Sequence, residues 1–309
     1  AFGGAGRLLG HGTGLSLLSA RLDGRQRRWL DQLRAEVAAR PYRAISEHFG
    51  WMTTAGMVWG PPLPPPNQRG VLALGRDRML RLADAAGGVP VGLENLALAL
   101  GPRDVHAQPD LIEALLDGVD GYLHLDLHNL WCQAVNFGED PLALLLRYPL
   151  HRARVLHISG GSWAEAGGRR FRRDTHDGAV PPAVWGLLAH ALARTPHAEA
   201  VVLERMGSEF GDTAGDSAGD AAWSADFARL RLEVERHGRP VQPRARAPHP
   251  PVGGPPVVAP RVEAWQRGLH SALDRGDTAE ATRDALGDAG LDDAALATAR
   301  ALWVRWARQ

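Results

Sequence analysis

Six short runs in this chain, most of them apolar, each close on a residue able to hold a metal ion: Leu8-Leu9-Gly10-His11, Ser46-Glu47-His48, Val91-Gly92-Leu93-Glu94-Asn95, Leu123-His124-Leu125-Asp126, Val155-Leu156-His157 and Val201-Val202-Leu203-Glu204. A lone histidine after an apolar run is more often a hydrogen-bonded core residue than a ligand. Repetition changes that balance, because carboxylates buried together repel one another unless cations neutralise them. The pattern predicts a metal site built from nitrogen and oxygen donors. Such a set, free of thiolate, suits iron or manganese better than structural zinc.

Residues so far apart meet only if a common scaffold aligns their runs. In a (β/α)8 barrel the C-terminal ends of the parallel strands converge on one face. Apolar runs alternate with helical patterns from residue 8 to about residue 236, the signature of a parallel sheet covered by helices. Trp29, Leu30, Leu33 and Val37 recur at helical spacing, as do Met79, Leu80 and Leu82, then Leu111, Ile112, Leu115 and Leu116, then Val184, Trp185, Leu187, Leu188 and Ala191. All read as core stripes. The fold class is α/β, a TIM-like (β/α)8 barrel over 1–237, with a small C-terminal helical module.

Two loops stand out. Residues 51–70 contain Gly60-Pro61-Pro62-Leu63-Pro64-Pro65-Pro66, too rich in proline for a helix or inner strand, and are expected along the barrel rim. Residues 207–222, rich in glycine, aspartate, alanine and serine, read as a mobile acidic insertion. Residues 238–260 read as a proline-rich linker, able if extended to reach roughly 60–70 Å. Beyond it, residues 261–309 carry helical patterns: a capping box at Asp277 and Glu280, and a final amphipathic helix marked by Leu291, Leu296, Leu302, Trp303 and Trp306, with Arg300, Arg305 and Arg308 on its other surface. So short a module has a thin core and needs the barrel or a partner.

Composition narrows the chemistry. The 309 residues are 45% apolar, enough for one large domain and a smaller piece. Cys132 is the single cysteine, excluding an internal disulfide, an iron–sulfur cluster on the chain's own thiolates and a zinc knuckle. A catalytic nucleophile there is disfavoured, since no base pattern accompanies it. Every basic residue is arginine, which excludes a Schiff-base lysine and a Walker-type phosphate lysine. Net charge is zero, so no nucleic-acid partner is expected, and no apolar stretch is long enough for a membrane span. The start, Ala1 to Gly6, lacks signal-peptide character, and a cytoplasmic location is expected.

The motifs together carry a resemblance. His11-Gly12-Thr13-Gly14-Leu15-Ser16-Leu17, Ser46-Glu47-His48-Phe49-Gly50-Trp51, Glu94-Asn95, Asp126-Leu127-His128-Asn129, His157-Ile158-Ser159-Gly160, Asp174-Thr175-His176-Asp177 and Leu203-Glu204-Arg205 follow a family's order and approximate spacing. Over roughly residues 7–236 the chain resembles the multinuclear non-haem iron-dependent oxidative enzymes, which include the catalytic subunit of methanobactin biosynthesis. The resemblance implies a barrel holding two or three iron ions, in mixed ferrous and ferric states, that uses dioxygen to rewrite cysteine or other residues in ribosomally made precursor peptides.

Carried over position by position, one iron takes His11 and His48, and Glu94 bridges to a second held by Asp126, His157 and Glu204. Asp174 and His176 hold a third, with Asn129 or His128 nearby. Glu94, Asp126 and His157 are the residues on which catalysis would turn. Asp177 and Glu47 are expected to orient imidazoles. The resemblance also implies a partner protein that recognises a leader peptide; residues 261–309 are expected either to dock such a partner or to cap the barrel.

The chain departs from the family's pattern in four places. Gly160-Gly161-Ser162 replaces a usual histidine, Met206 replaces an acidic residue, and His128 stands where asparagine is common. The chain also begins just before what should be the second strand, so about seven barrel strands are expected. His106, His124, His151, His190, His197 and His237 lack the strand-end context and read as structural or exposed. The competing functions are a divalent-metal sugar isomerase or phosphodiesterase on a similar barrel, and a noncatalytic peptide-binding module.

Overall fold

The computed structural model describes residues 7–12, 14–54, 61–205, 218–244 and 247–306. Six parallel strands form one sheet in the order β1 (Leu8–Gly12), β2 (Tyr42–His48), β3 (Val91–Glu94), β4 (Tyr122–Asp126), β5 (Ala153–Ser159) and β8 (Ala200–Glu204). β6 (Ser162–Ala166) and β7 (Arg169–Arg173) form a separate antiparallel hairpin between β5 and β8. The described sheet thus has six strands where about seven were expected. Asp174 and His176 follow the hairpin, and the sheet does not deliver them.

Helices α1 (Gly24–Ala39), α2 (Val71–Ala85), α3 (Pro102–Asp117), α4 (Leu127–Phe137), α5 (Pro141–Leu145), α6 (Pro182–Leu192) and α7 (Ala218–His237) alternate with the strands. β3 and β4 are buried at every residue, as strands covered on both faces must be. Parallel register is what levels the strand ends: His48 pairs with Glu94, Asp126 with His157, and Ser159 with Glu204. Leu82, Leu115, Leu130 and Leu188, all from the outer helices, close the core against the sheet.

The proline-rich loop runs along the mouth. Trp51 and Leu63 exchange backbone hydrogen bonds of 2.9 Å, and Trp51 Nε1 donates to the Pro64 carbonyl. Gly50 adopts φ 150°, and a Cβ there would meet the Leu63 carbonyl oxygen at 2.7 Å, so only glycine allows this crossing. Gly60, Thr13, Met206 and Arg308 lie outside the described residues, as do residues 207–217 of the expected insertion; the rest of that insertion, from Ala218, is the start of α7.

The C-terminal segment forms α8 (Pro260–Arg275), α9 (Ala279–Leu286) and α10 (Asp293–Trp306). These helices share the barrel's apolar core through Trp265, Leu269, Leu296 and Trp303. Gln266 is fully buried, donating to the Leu18 carbonyl at 2.8 Å and accepting from the Ala20 amide at 3.0 Å. Of the two expected placements, the geometry is that of a cap. The expected capping box does not form: Thr278 is the N-cap of α9, accepting from the Ala281 amide, while Asp277 pairs with Arg275. The preceding segment lies against the barrel, with Arg78 and Arg81 donating to the carbonyls of Val257 and Gly254.

Candidate metal centre

Glu94 stands at the mouth of the barrel with both carboxylate oxygens engaged. Oε2 lies 3.0 Å from His11 Nε2 and 3.1 Å from His48 Nε2. Oε1 lies 3.1 Å from His157 Nδ1, which is also 3.1 Å from Glu204 Oε1 and 4.0 Å from Asp126 Oδ2. Three overlapping groups with metal-ligand spacing result: His11, His48 and Glu94; Glu94, His124 and His157; and Asp126, His157 and Glu204.

The rings are turned by their other nitrogens. His48 Nδ1 lies 3.3 Å from the Gly12 carbonyl and donates to it, and His11 Nδ1 lies 2.9 Å from Ser46 Oγ. An imidazole whose Nδ1–H is held by protein presents an unprotonated Nε2, the form that ligates metal. Asp126 is divided between two tasks. Its Oδ1 caps α4 by accepting from the Asn129 amide at 2.7 Å, and Asn95 holds its backbone through hydrogen bonds of 2.8 and 2.9 Å.

Asp126 Oδ2 has no hydrogen-bond partner, and neither do Asn129 Oδ1, His157 Nδ1 or His124 Nε2, all of them buried. The carboxylate oxygens 3.1 Å from His157 Nδ1 are close but misaligned for a hydrogen bond, so these groups face a common space. Buried polar atoms are rarely left so. Lone pairs converging in this way fit a cation, and the donor set fits iron.

Charge in the centre is strongly displaced. Burial would raise the Glu94 pKa, but His11, His124 and His48 around it hold it well below the usual carboxylate range. Burial, then the charges of Asp174, Glu94 and Glu204, push Asp126 well above that range. Burial works against protonating His157, yet Glu204 and Glu94 beside it raise it well above an ordinary imidazole. His124 is driven well below by burial and by His157. Carboxylates and imidazoles displaced in opposite senses within one pocket are a mark of functional sites.

Asp174 and His176 form a further pair beside this centre. His176 Nε2 lies 2.9 Å from Asp174 Oδ2 and 3.4 Å from Glu204 Oε2. His176 has φ 54°, a left-handed conformation unusual for a side-chain-bearing residue. Burial opposes its charge, but Asp174 overcomes this and pushes its pKa up to about 10. No third imidazole or acidic group joins the pair to complete a ligand triad among the described residues; Asn129 Oδ1 is the orphaned oxygen of that region.

His128 differs from expectation. Its Nε2 accepts from the Arg172 guanidinium at 3.2 Å, so its Nδ1 carries the proton and donates to Asp174 Oδ1 at 2.7 Å. With both nitrogens engaged it orients Asp174, and the arrangement leaves it no lone pair for a metal. Glu47 and Asp177 also act otherwise than expected. Glu47 accepts from the Leu15 amide and is pushed up to about 7 by burial, whereas Asp177 accepts from Thr175. Neither forms a hydrogen bond to an imidazole.

His124, read from the sequence as structural or exposed, is buried with Nε2 3.8 Å from Glu94 Oε1. Its signal was the two-residue alternation that puts it on the same strand face as Asp126. Ser46 shares this signal, two residues before His48 on β2, whereas Arg172 had none. Cys132 is buried 3.8 Å from His128, and burial raises its thiol pKa well above the ordinary value.

Residues 5–209 match the family model described as RiPP precursor modification enzyme MbnB/TglH/ChrH, and the chain belongs to that family. A UPF0276 protein of Acaryochloris marina is 31% identical over 185 residues, covering 60% of this chain and 64% of that protein. One from Caulobacter vibrioides is 29% identical with the same coverage, and one from Bordetella pertussis is 32% identical over 205 residues, covering 64% of this chain and 68% of that protein. The chain thus matches 64% of the length of the Acaryochloris and Caulobacter relatives.

Among solved structures, a xylose isomerase-like TIM barrel protein from Mycobacterium smegmatis in complex with magnesium aligns at 17% identity and TM-score 0.44, covering 74% of this chain and 72% of that one. A sugar phosphate isomerase/epimerase from Parabacteroides distasonis aligns at 14% and 0.43, covering 75% and 71%. At these values the likeness bears on neither activity nor ligand. No helix among the described residues is long and apolar enough to cross a membrane.

Proposed function

We propose that this chain is an iron- and dioxygen-dependent enzyme that oxidises a ribosomally synthesised peptide, at cysteine. The observation that carries this reading is Glu94, whose two oxygens face two different ligand groups, in a chain whose family is described by RiPP precursor modification. His11, His48 and Glu94 would hold one iron, and Glu94, Asp126, His157 and Glu204 a second. Asp174, His176 and Asn129 would hold a third. When bound, iron would supply the redox chemistry, with dioxygen as electron acceptor and the metal charge favouring the thiolate of a substrate cysteine.

The chain's own residues do the rest. Ser46 and the Gly12 carbonyl fix the rings of His11 and His48, and His128 fixes Asp174. Leu96, Leu98 and Phe171 line the cavity beside His48 with apolar surface. Cys132, held as a thiol by burial, does not compete with a substrate thiolate. A precursor peptide is the substrate in this reading, and a separate leader-binding protein its partner.

Elemental analysis and Mössbauer spectroscopy of anaerobically purified, iron-57-enriched protein test it. Two or three irons per chain in a coupled mixed-valence state are expected, with the content falling in Glu204→Ala. Zinc or manganese alone, or oxygen-independent turnover of a sugar, would overturn the reading.

A further inference from the structure

A cavity of about 240 Å³ opens beside the metal-centre residues. His48, Asn129 and Asp174 are among its lining residues, and Thr298 and Leu302 of α10 also line it. That volume is below the roughly 300–1,000 Å³ of pockets that hold drug-sized ligands, and so suits a single side chain of a larger molecule. Several of its polar wall groups are engaged elsewhere, while Asn129 Oδ1 has no hydrogen-bond partner. The Thr298 hydroxyl donates to the Ala294 carbonyl at 2.8 Å, Arg172 bonds His128, and Arg173 donates to Ser162 Oγ at 3.0 Å.

The wall is also fixed in place. Thr298 and Leu302 are four apart and share a helix face. At the start of α10 the Asp292 amide donates to the Leu100 carbonyl at 2.7 Å, tying it to the β3–α3 loop. On the other side Asp292 pairs with Arg169 of the hairpin at 2.8 Å. Gly167, in the hairpin turn at φ 54°, lets the two backbones meet: a Cβ there would sit 2.6 Å from the Ala294 amide nitrogen. A wall braced from both sides of the mouth discriminates by size.

We propose that α10 sets substrate specificity, with Leu302 limiting the size of the one apolar or thiol side chain that reaches the metal-centre residues. This deepens the proposed function and rests on it for the identity of the substrate as a peptide. It assigns a task to the C-terminal helices in the reaction itself, apart from any leader-binding partner.

The test is binding, read apart from turnover. Fluorescein-labelled pentapeptides Gly-Gly-Xaa-Gly-Gly, with Xaa cysteine, leucine or tryptophan, are titrated against the full metal-loaded chain by fluorescence anisotropy. The wild-type protein is expected to bind the cysteine and leucine peptides at least tenfold more tightly than the tryptophan peptide, a size discrimination within reach of an apolar pocket. Leu302→Ala is expected to erase that difference, and Leu302→Trp to weaken all three about tenfold. Val304→Trp, on the exposed side of α10, should leave the pattern unchanged. Melting temperature and metal content accompany each titration; if Leu302→Trp does not fold, Leu302→Ala decides alone. Unchanged selectivity in Leu302→Ala, or no binding of any peptide to the wild type, overturns the proposal. Leu302-dependent selectivity in a protein that proves to hold only zinc would instead leave the wall intact and remove the oxidase.

Discussion

At the scale of single residues, Ser46 decides the protonation of two histidines at once. Its Oγ lies between His11 Nδ1 at 2.9 Å and His124 Nδ1 at 2.8 Å, and a hydroxyl has one proton to donate. If His11 Nε2 is to ligate metal, its Nδ1–H donates to Ser46, and Ser46 donates to His124 Nδ1. The His124 proton then sits on Nε2, 3.8 Å from Glu94 Oε1, which leaves that nitrogen no lone pair for a metal. Ser46→Ala removes this relay. Groups that orient ligands in this way are worth about 10–100-fold in metal affinity. Chelator competition on Ser46→Ala should show a loss of that size at one metal, and wild-type affinity for every metal would sink the assignment. The proposed ligands at the strand ends were legible in the sequence because each terminates a recognisable run, and Ser46 stands two residues before His48 on the same strand face, whereas Arg172 acts from the hairpin on His128 of α4 and leaves no local pattern.

At the scale of elements, the glycines after β5 explain how a hairpin loop brings Asp174 and His176 to a centre otherwise built on strand ends. A Cβ on Gly160 would lie 2.0 Å from the Gly178 carbonyl oxygen, and one on Gly161 2.2 Å from the Arg173 carbonyl oxygen. The loop of residues 174–179 therefore packs backbone to backbone on the end of β5. Gly160→Ala should push it outward, at a cost of about 1–3 kcal/mol for overpacking. A lower melting temperature is expected, with loss of the metal that Asp174 would hold in the proposed function while the other sites stay filled; an unchanged melt and metal count would refute this account. The same hairpin marks where the sequence misled. About seven strands were expected from a barrel short of its first βα unit, whereas the described sheet has six, with Ser162–Ala166 and Arg169–Arg173 paired antiparallel apart from it. Alternation of apolar runs and helical stripes fixed the other strands, since parallel strands buried on both faces read as continuous apolar runs. The capping shift from Asp277 to Thr278 has a similar origin, as both residues are good caps and only the chain path chooses between them.

At the scale of the whole molecule, the linker's composition suggested a tethered module, and the helices beyond it pack on the barrel. Proline content reports stiffness, not where a segment lies. The apolar faces of α8 and α10 need a surface that so short a segment lacks, and the barrel supplies it through Leu18, Trp51 and the hairpin. Trp265 meets Trp51 edge-on at 6.5 Å, and Trp51 is itself fastened to Pro64 in the loop over the mouth. Truncation before Pro260 should therefore yield an insoluble or partly unfolded barrel, and a finer probe is needed. Gln266→Leu keeps the side-chain size but strands the Leu18 carbonyl and Ala20 amide, at about 1–3 kcal/mol for each buried group left unpaired. A domain of about 150–250 residues loses roughly 2–4 °C per kcal/mol, so a fall of several degrees is expected. If the body is one unit, calorimetry of Gln266→Leu gives a single transition at lower temperature, and metal release follows the same curve. Two transitions, with the helices melting first and the metal centre at its wild-type temperature, would mean that the cap is an independent module.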